Sequence, residues 1–386
     1  MSITKKTSGL AFSHFGVHNA DKKNPIAINS NAGDTALFQA VRDTFDFFMG
    51  ENEWIMEALW KKVTEEKVKE INEKSTALIV GGGGLLLKDQ KGADVSSSGW
   101  QWNCPLDLIH KLKVPTILFA VGYNRFRGQE DFDQIFGQHI SELLKNSTFF
   151  GLRNHGSIDA VKKYVPSNLR EKIRFQPCPT TLSWFLYNDV YHLSRNNNFK
   201  ETKRLVVNMA FDRKHLRFLN NEDETLKSTA RVLKKYRSKG WSIILANHKP
   251  QDDFFSQYLT SAGVSFEKVN LYDEQPKVIL DFYNSVDLVI GMRGHSQMIP
   301  FGLRKNIISI ISHSKLKWFL DDIGHSDWGV DISDKDYENK LYFLIRQIGE
   351  TDYDKINKEI IVAQTKLWKI TQENMRQIKN SLQIKN

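Results

Sequence analysis

The sequence predicts an α/β protein built as two consecutive parallel-sheet units followed by a helical tail. Three observations predict it. Short β-branched apolar runs alternate with helix-length segments along most of the chain, the pattern of strands joined by crossover helices. The polar stretch Ser194-Arg195-Asn196-Asn197-Asn198 interrupts that alternation, cannot bury itself, and reads as a linker. The chain has 386 residues, 40 % of them apolar, which is too long for one ordinary domain and sufficient for two cores.

Taken in order, residues 25–29 read as a short strand, 34–48 as an amphipathic helix and 54–74 as a charged helix. A strand over 76–80 ends at four glycines, Gly81 to Gly84; others over 115–121 and 148–152 end at Gly122 and Arg153. Beyond the linker come a strand over 204–209, a helix over 222–239, a strand over 241–246 and a helix over 252–262. A helix over 278–285, a strand over 287–290, a helix from Gln297 to Leu303 and a strand over 306–311 complete the second unit. Residues 353–384 read as one long or two shorter polar helices. The expected divisions are 1–193, 200–350 and a tail over 351–386 that packs back across the lobes.

The chain carries 54 Lys+Arg against 45 Asp+Glu, a net charge of +9, which favours an anionic partner: a phosphorylated substrate, a negative membrane face or nucleic acid. The basic residues are scattered without a long block, which sets nucleic acid aside. Cys104 and Cys178 are far apart and lack metal-ligand spacing, as expected in a reducing compartment. Lys5 and Lys6 precede only a broken apolar run, so no signal peptide is expected, and no stretch approaches a membrane span. The expectation is a cytoplasmic protein, able to rest on the inner face of the plasma membrane.

The chemistry centres on Gly291-Met292-Arg293-Gly294-His295-Ser296, a tight turn between a buried strand and a helix. Ligands of open α/β sheets bind at the carboxyl ends of strands. There Arg293 can grip a carboxylate or phosphate by two parallel bonds, and His295 can move a proton near neutral pH. Two ionisable groups on one such turn are costly unless used. Gly151-Leu152-Arg153-Asn154-His155-Gly156-Ser157 has the form of a strand, turn and helix cap, with Ser157 as the cap. Arg153 alone reads as a surface arginine, and His155 as exposed. His248 follows another strand and alone reads as an ordinary loop histidine. The glycines at 81–84 lack the lysine of a phosphate-binding loop and the acidic partner of a dinucleotide fingerprint. They serve either a tight turn or a loop whose N–H groups face a ligand. Trp100 and Trp102 read as core residues slightly ahead of sugar-stacking platforms. No His/Asp/Glu cluster has metal-ligand spacing, so neither metal nor cofactor is expected.

These pieces together resemble the polysaccharide pyruvyl transferase family. Asn31-Ala32-Gly33-Asp34 is similar to its Asn-x-Gly-Asp segment, Gly81-Gly82-Gly83-Gly84-Leu85 to its glycine-rich turn, and Arg153 to Ser157 to its Arg-Asp-x-x-Ser segment, with Asn154 in place of aspartate. Gly291 to His295 is similar to its Arg-Leu-His signature, with Gly294 in place of leucine; Gly302 and Lys315 fall where the family has a glycine and a lysine. The resemblance implies two Rossmann-like lobes facing across a cleft, as in the two-lobed GT-B glycosyltransferases. It implies an acceptor side in the first lobe and a donor side in the second. It also implies transfer of pyruvate from phosphoenolpyruvate to two hydroxyls of a surface-polysaccharide sugar, or of a lipid-linked precursor, as a cyclic ketal. His295 would be the catalytic acid/base, titrating near neutrality, with Arg153 and Arg293 on the donor's anionic groups. Ser157, His248, Asp34, Gly83 and Gly84 complete the expected binding set. The rival readings are a GT-B glycosyltransferase using a nucleotide sugar and a non-enzymatic glycan-binding protein.

Overall fold

The computed structural model of the chain describes residues 7–17, 30–89, 93–191 and 202–383. The segments expected as the first strand, 25–29, and as the linker lie outside the described residues. Strands β1 (Thr7–Gly16), β2 (Glu51–Ala58), β3 (Ala77–Leu86), β4 (Thr116–Tyr123), β5 (Phe149–Leu152) and β6 (Ile173–Phe175) form one sheet in the order β2-β1-β3-β4-β5-β6. Strands β7 (Arg204–Asn208), β8 (Ser242–Asn247), β9 (Phe266–Asn270), β10 (Leu288–Gly291), β11 (Asn306–Ile311) and β12 (Gly329–Asp331) form the other, in the order β12-β11-β10-β7-β8-β9. Every pair is parallel. The second order is that of a dinucleotide-binding sheet, and the first begins like a flavodoxin sheet. In each, strand order reverses at a switch point: between β1 and β3 in the first lobe, between β7 and β10 in the second.

The glycines at 81–84 lie inside β3 and do not form a turn after it. A Cβ on Gly81, at φ +152°, would stand 2.0 Å from the Phe119 carbonyl oxygen of β4. A Cβ on Gly82 would stand 2.9 Å from Leu37 Cδ1. Bare backbone there lets β3, β4 and helix α1 (Ala32–Met49) approach closely. The expected helix over 54–74 is also corrected. Trp54 belongs to β2, and only Glu65–Lys74 is helical, started by the Thr64 hydroxyl accepting from the Lys67 N–H at 3.2 Å. Pairing with β1 overrides the helical look of the charges around Trp54. Strands β1, β6, β9 and β12 were not expected; β6 and β12 have only three residues, too few for a period to register.

Further helices that matter below are α2 (His155–Lys162), α3 (His295–Gly302), α4 (Ser314–Asp322) and α5 (Tyr353–Ser381). The tail is one 29-residue helix, and Gln364 fixes it by donating to the carbonyls of Thr181 at 3.0 Å and Gly302 at 2.7 Å. Asn374 donates to the Phe175 carbonyl at the end of β6. Gly302 is needed where α3 meets this junction, since a Cβ there would lie 1.9 Å from the Thr180 oxygen. No helix among the described residues is long and apolar enough to cross a membrane.

Candidate active site

The carboxyl ends of the two sheets face each other across a cavity of about 790 Å³. The first lobe supplies Gly84 from β3, Asn124 after β4 and Arg153 after β5; the second supplies Asp212 after β7, His248 after β8, Arg293 after β10 and Lys315 after β11. The amino-terminal turn of α1 closes one side with Asn31 and Asp34. Both lobes hold it: Asn31 caps the helix by accepting from the Gly33 N–H at 3.2 Å, and the Ala32 N–H donates to the His248 carbonyl at 3.0 Å. Around the rim the lobes are joined by Arg127 with Asp331, Arg213 with Asp89 at 3.5 Å, and the stacked rings of Phe126 and His313.

Arg153 is buried, and its side chain crosses bare backbone at Gly122, where a Cβ would stand 2.2 Å from its Nε. That Nε has no hydrogen-bond partner, and no carboxylate lies within ion-pair distance of the guanidinium among the described residues. Burial lowers its proton affinity, only partly offset by Cys178 and Asp34. Lys315, bonded to the Asn124 side-chain oxygen at 3.1 Å, is held well below the usual lysine range by burial and then by Arg153 and Arg217. These two cations therefore face the cavity without a full countercharge.

Arg293 also lines the cavity, but its guanidinium is engaged by protein carboxylates. Its Nε donates to Asp252 Oδ2 at 2.7 Å, its Nη2 pairs with Asp252 Oδ1, and its Nη1 lies 2.6 Å from Asp212 Oδ1. Burial opposes the charge, but the two carboxylates outweigh it and raise the Arg293 pKa. The guanidinium fork is already filled by protein, so Arg293 locks the turn between β10 and α3 and does not grip a ligand with its full fork.

His295 opens α3, two residues earlier than the expected helix start. Its Nε2 stands 3.8 Å from Cys178 Sγ, and its ring packs on the backbone of Gly33. Burial, then Arg153, His248 and Lys315, hold its pKa well below that of a free histidine. The surroundings of His295 in the protein alone thus favour the neutral imidazole. A Cβ on Gly33 would lie 2.6 Å from His295 Nδ1, so Gly33→Ala must displace the ring. We expect this variant to lose about a hundredfold in turnover, since a shift of about 1 Å has that cost in a positioned site, and about 1–3 kcal/mol in stability, because the added Cβ also stands 2.6 Å from His295 Cβ, which moves only with the backbone.

The remaining expected residues divide. Asp34 lines the cavity, accepts from Asn31 Nδ2 at 2.7 Å, and has its pKa raised by burial. His248 also lines it, but is buried with Nε2 2.6 Å from the Tyr283 hydroxyl, and burial then Arg293 push its pKa down to about 3. Gly84 lines the cavity; Gly83 is not among the lining residues and packs toward Val17 and Leu37. Ser157 is not a lining residue either. The cap of α2 is Asn154, whose side chain accepts from the Ser157 N–H at 2.7 Å, because an amide oxygen one turn earlier reaches that donor. The Ser157 hydroxyl accepts from the Tyr123 N–H at the end of β4. His155 is exposed, as expected, and bonds Asp322 of α4 at 2.8 Å. Trp100 and Trp102 are core residues.

Sequence reasoning missed Trp60, Asp212, Arg213, Arg217 and Lys249, all of which line the cavity. The signal existed for four of them: they follow β7 and β8, the same strand-end position that singled out Arg293. The buried histidines have a further consequence. His139, near 4, and His248, near 3, both stay neutral far below the free value of about 6.5. The unfolded chain then binds protons that the native one refuses, so stability falls as pH drops below about 6.5 and keeps falling towards these native values. We expect roughly 2 kcal/mol lost per buried histidine by about pH 5, read by chemical denaturation across that range.

The model of the family described as polysaccharide pyruvyl transferase matches residues 20–314. The chain belongs to the polysaccharide pyruvyl transferase family. It is therefore an enzyme of polysaccharide pyruvylation. No curated protein matches the sequence. Among solved structures, the S. aureus MnaA–UDP complex aligns with TM-score 0.55 and 12 % identity over 98 % of this chain and 98 % of that one. Anabaena HepE in complex with UDP and glucose aligns with TM-score 0.52 and 10 % identity over 97 % and 99 %. A Thermobaculum terrenum O-GlcNAc transferase mutant aligns with TM-score 0.50 and 8 % identity over 97 % of this chain, which spans 66 % of that one. At these identities the likeness establishes the two-lobed GT-B fold of this pyruvyl transferase family member and nothing of its substrates.

Proposed function

We propose that the cavity transfers pyruvate from phosphoenolpyruvate to two hydroxyls of a sugar in a surface polysaccharide or its lipid-linked precursor, forming a cyclic ketal. The observation that carries this reading is the grouping of Arg153, Lys315 and His295 on one cavity: burial and then Arg153 lower the proton affinity of both Lys315 and His295, and Lys315 lowers that of His295 further. A small ligand with a carboxylate and a phosphate offsets the charge part of those shifts, against the burial that is their largest cause. The donor's anionic groups lie between Arg153 and Lys315, and its charge raises the pKa of His295. The protonated imidazole then gives its proton to the methylene carbon, leaving a cation-like centre at the carbon bearing the phosphate. A sugar hydroxyl adds there and its proton passes to His295. The carbon–oxygen bond to phosphate breaks, the second hydroxyl closes the ring, and its proton leaves with the phosphate. Asp34, at the mouth of α1, accepts from the acceptor's hydroxyls. The first lobe is the acceptor side, where Trp60 and Gln101 line the cavity, and the second carries most of the charge.

The test is phosphate release from phosphoenolpyruvate with a panel of sugar acceptors, beside thermal shifts with phosphoenolpyruvate and with UDP-sugars. Any ligand of the native state must raise the melting temperature. Stabilisation by a UDP-sugar alone, with no phosphate release, overturns the reading in favour of a glycosyltransferase. Arg153→Lys is expected to raise the KM for phosphoenolpyruvate by roughly tenfold or more, because a point charge cannot replace the planar fork.

A further inference from the structure

The outward face of α5 carries a line of cations. Lys355, Lys358, Val362, Lys366, Lys369 and Arg376 are spaced so that they lie along one side of the helix, and all are exposed. The opposite side, including Ile360, Leu367 and Ile378, is buried against the protein. From Lys355 to Arg376 the line runs roughly 30 Å. Glu373 is the one exposed carboxylate within it. Lys355 meets Glu359 at 3.9 Å, whereas Lys358, Lys366, Lys369 and Arg376 have no ion pair among the described residues.

Several other helices carry ion-paired faces. Lys227 pairs with Asp223, Lys277 with Asp281 and Lys317 with Asp321, each one turn apart, and Lys67 and Lys74 share Glu70. A helix face that only has to stay in water has that mixed pattern. On α5 Lys358, Lys366, Lys369 and Arg376 have no such partner among the described residues, so they repel one another and favour an extended negative surface. Two apolar side chains stand on or beside the same face: Val362, 57 % exposed, and Phe47, 53 % exposed, whose ring lies 5.3 Å from that of Trp368 on the flank of α5. Cations ringing a few exposed apolar groups match a headgroup layer of anionic lipid.

We propose that the outward face of α5 docks the protein on an anionic lipid surface. The helix does not sink into the bilayer, because its own apolar side is already buried in the protein; it rests on the headgroups, held mainly by charge. This inference stands on the charge pattern of α5 and is independent of the reaction proposed above.

The experiment is co-sedimentation of the full chain with vesicles of phosphatidylcholine alone and of equimolar phosphatidylcholine and phosphatidylglycerol. Binding is expected only to the anionic vesicles, weakening at least about tenfold as salt rises from about 0.05 M to about 0.5 M. Combining Lys358→Gln, Lys366→Gln, Lys369→Gln and Arg376→Gln is expected to weaken it roughly a hundredfold at an unchanged melting temperature. Lys369→Glu alone, on the exposed side, is expected to weaken it by roughly tenfold. No binding at low salt, equal binding to both vesicles, or undiminished binding by the variants overturns the proposal. A preference for a DNA duplex over the vesicles, lost in the same variants, assigns the face to nucleic acid and likewise overturns it.

Discussion

His295→Ala is expected to lower pyruvyl transfer by roughly 10²–10⁴-fold, the usual loss when a general acid/base is removed, while phosphoenolpyruvate still raises the melting temperature. In the proposed binding mode the donor's anions rest on Arg153 and Lys315, which the substitution leaves in place. His295→Gln should be about as inactive, since an amide donates a hydrogen bond but carries no proton between partners. The pH profile separates this role from simple binding. In the protein alone His295 lies well below the free histidine value, so the profile of kcat/KM, which reports the free enzyme, should show no histidine limb near neutrality. Once the donor's negative charges sit beside the imidazole its pKa rises, and the corresponding limb in kcat should appear at higher pH. If the alanine variant kept more than about a tenth of the wild-type turnover at saturating substrates, His295 would be a binding residue only.

The sequence made the fold legible wherever an element was long or apolar. The strands Ala77–Leu86, Thr116–Tyr123 and Asn306–Ile311 are read from apolar runs, and the helix Glu222–Ser238 from its period. It hid what depends on pairing with a distant neighbour. The strand Glu51–Ala58 looks helical by charge and becomes a strand because Thr7–Gly16 lies beside it. For the site, strand-end position located Arg153, Arg293, His248 and His295, but residue type alone could not assign their work. Arg153 and Arg293 are the same residue in the same kind of turn. One has no carboxylate within ion-pair distance among the described residues, and the other is filled because Asp252, in the short 3-10 helix Pro250–Phe255 some forty positions away in sequence, reaches it at 2.7 Å. That difference lies in tertiary charge pairing, which leaves no local period or spacing to read.

Asp252→Ala is therefore expected to be the most destabilising of the substitutions considered. Asp252 is wholly buried, and its carboxylate accepts from Arg293 Nε at 2.7 Å, from the backbone N–H groups of His248 and Lys249 at 3.1 Å each, and from Asn208 Nδ2 at 3.3 Å. It thus ties the ends of three neighbouring strands, Arg204–Asn208, Ser242–Asn247 and Leu288–Gly291, to one point under the cavity. Removing it leaves a buried guanidinium with Asp212 as its remaining carboxylate and strands two backbone donors away from water. Breaking a buried pair in this way costs about 3–5 kcal/mol, measured as the shift in the denaturation midpoint of the second lobe. Asp252→Asn keeps the shape and one acceptor oxygen, and should lose less. Arg293→Lys supplies the contrast: it too should lower stability, because a point charge cannot hold both Asp252 and Asp212, and any loss of donor affinity should follow from a displaced His295. An Arg293→Lys variant of wild-type stability that is selectively weakened for phosphoenolpyruvate would return Arg293 to the donor. In that outcome the knot with Asp252 would be a consequence of packing and not what holds the turn.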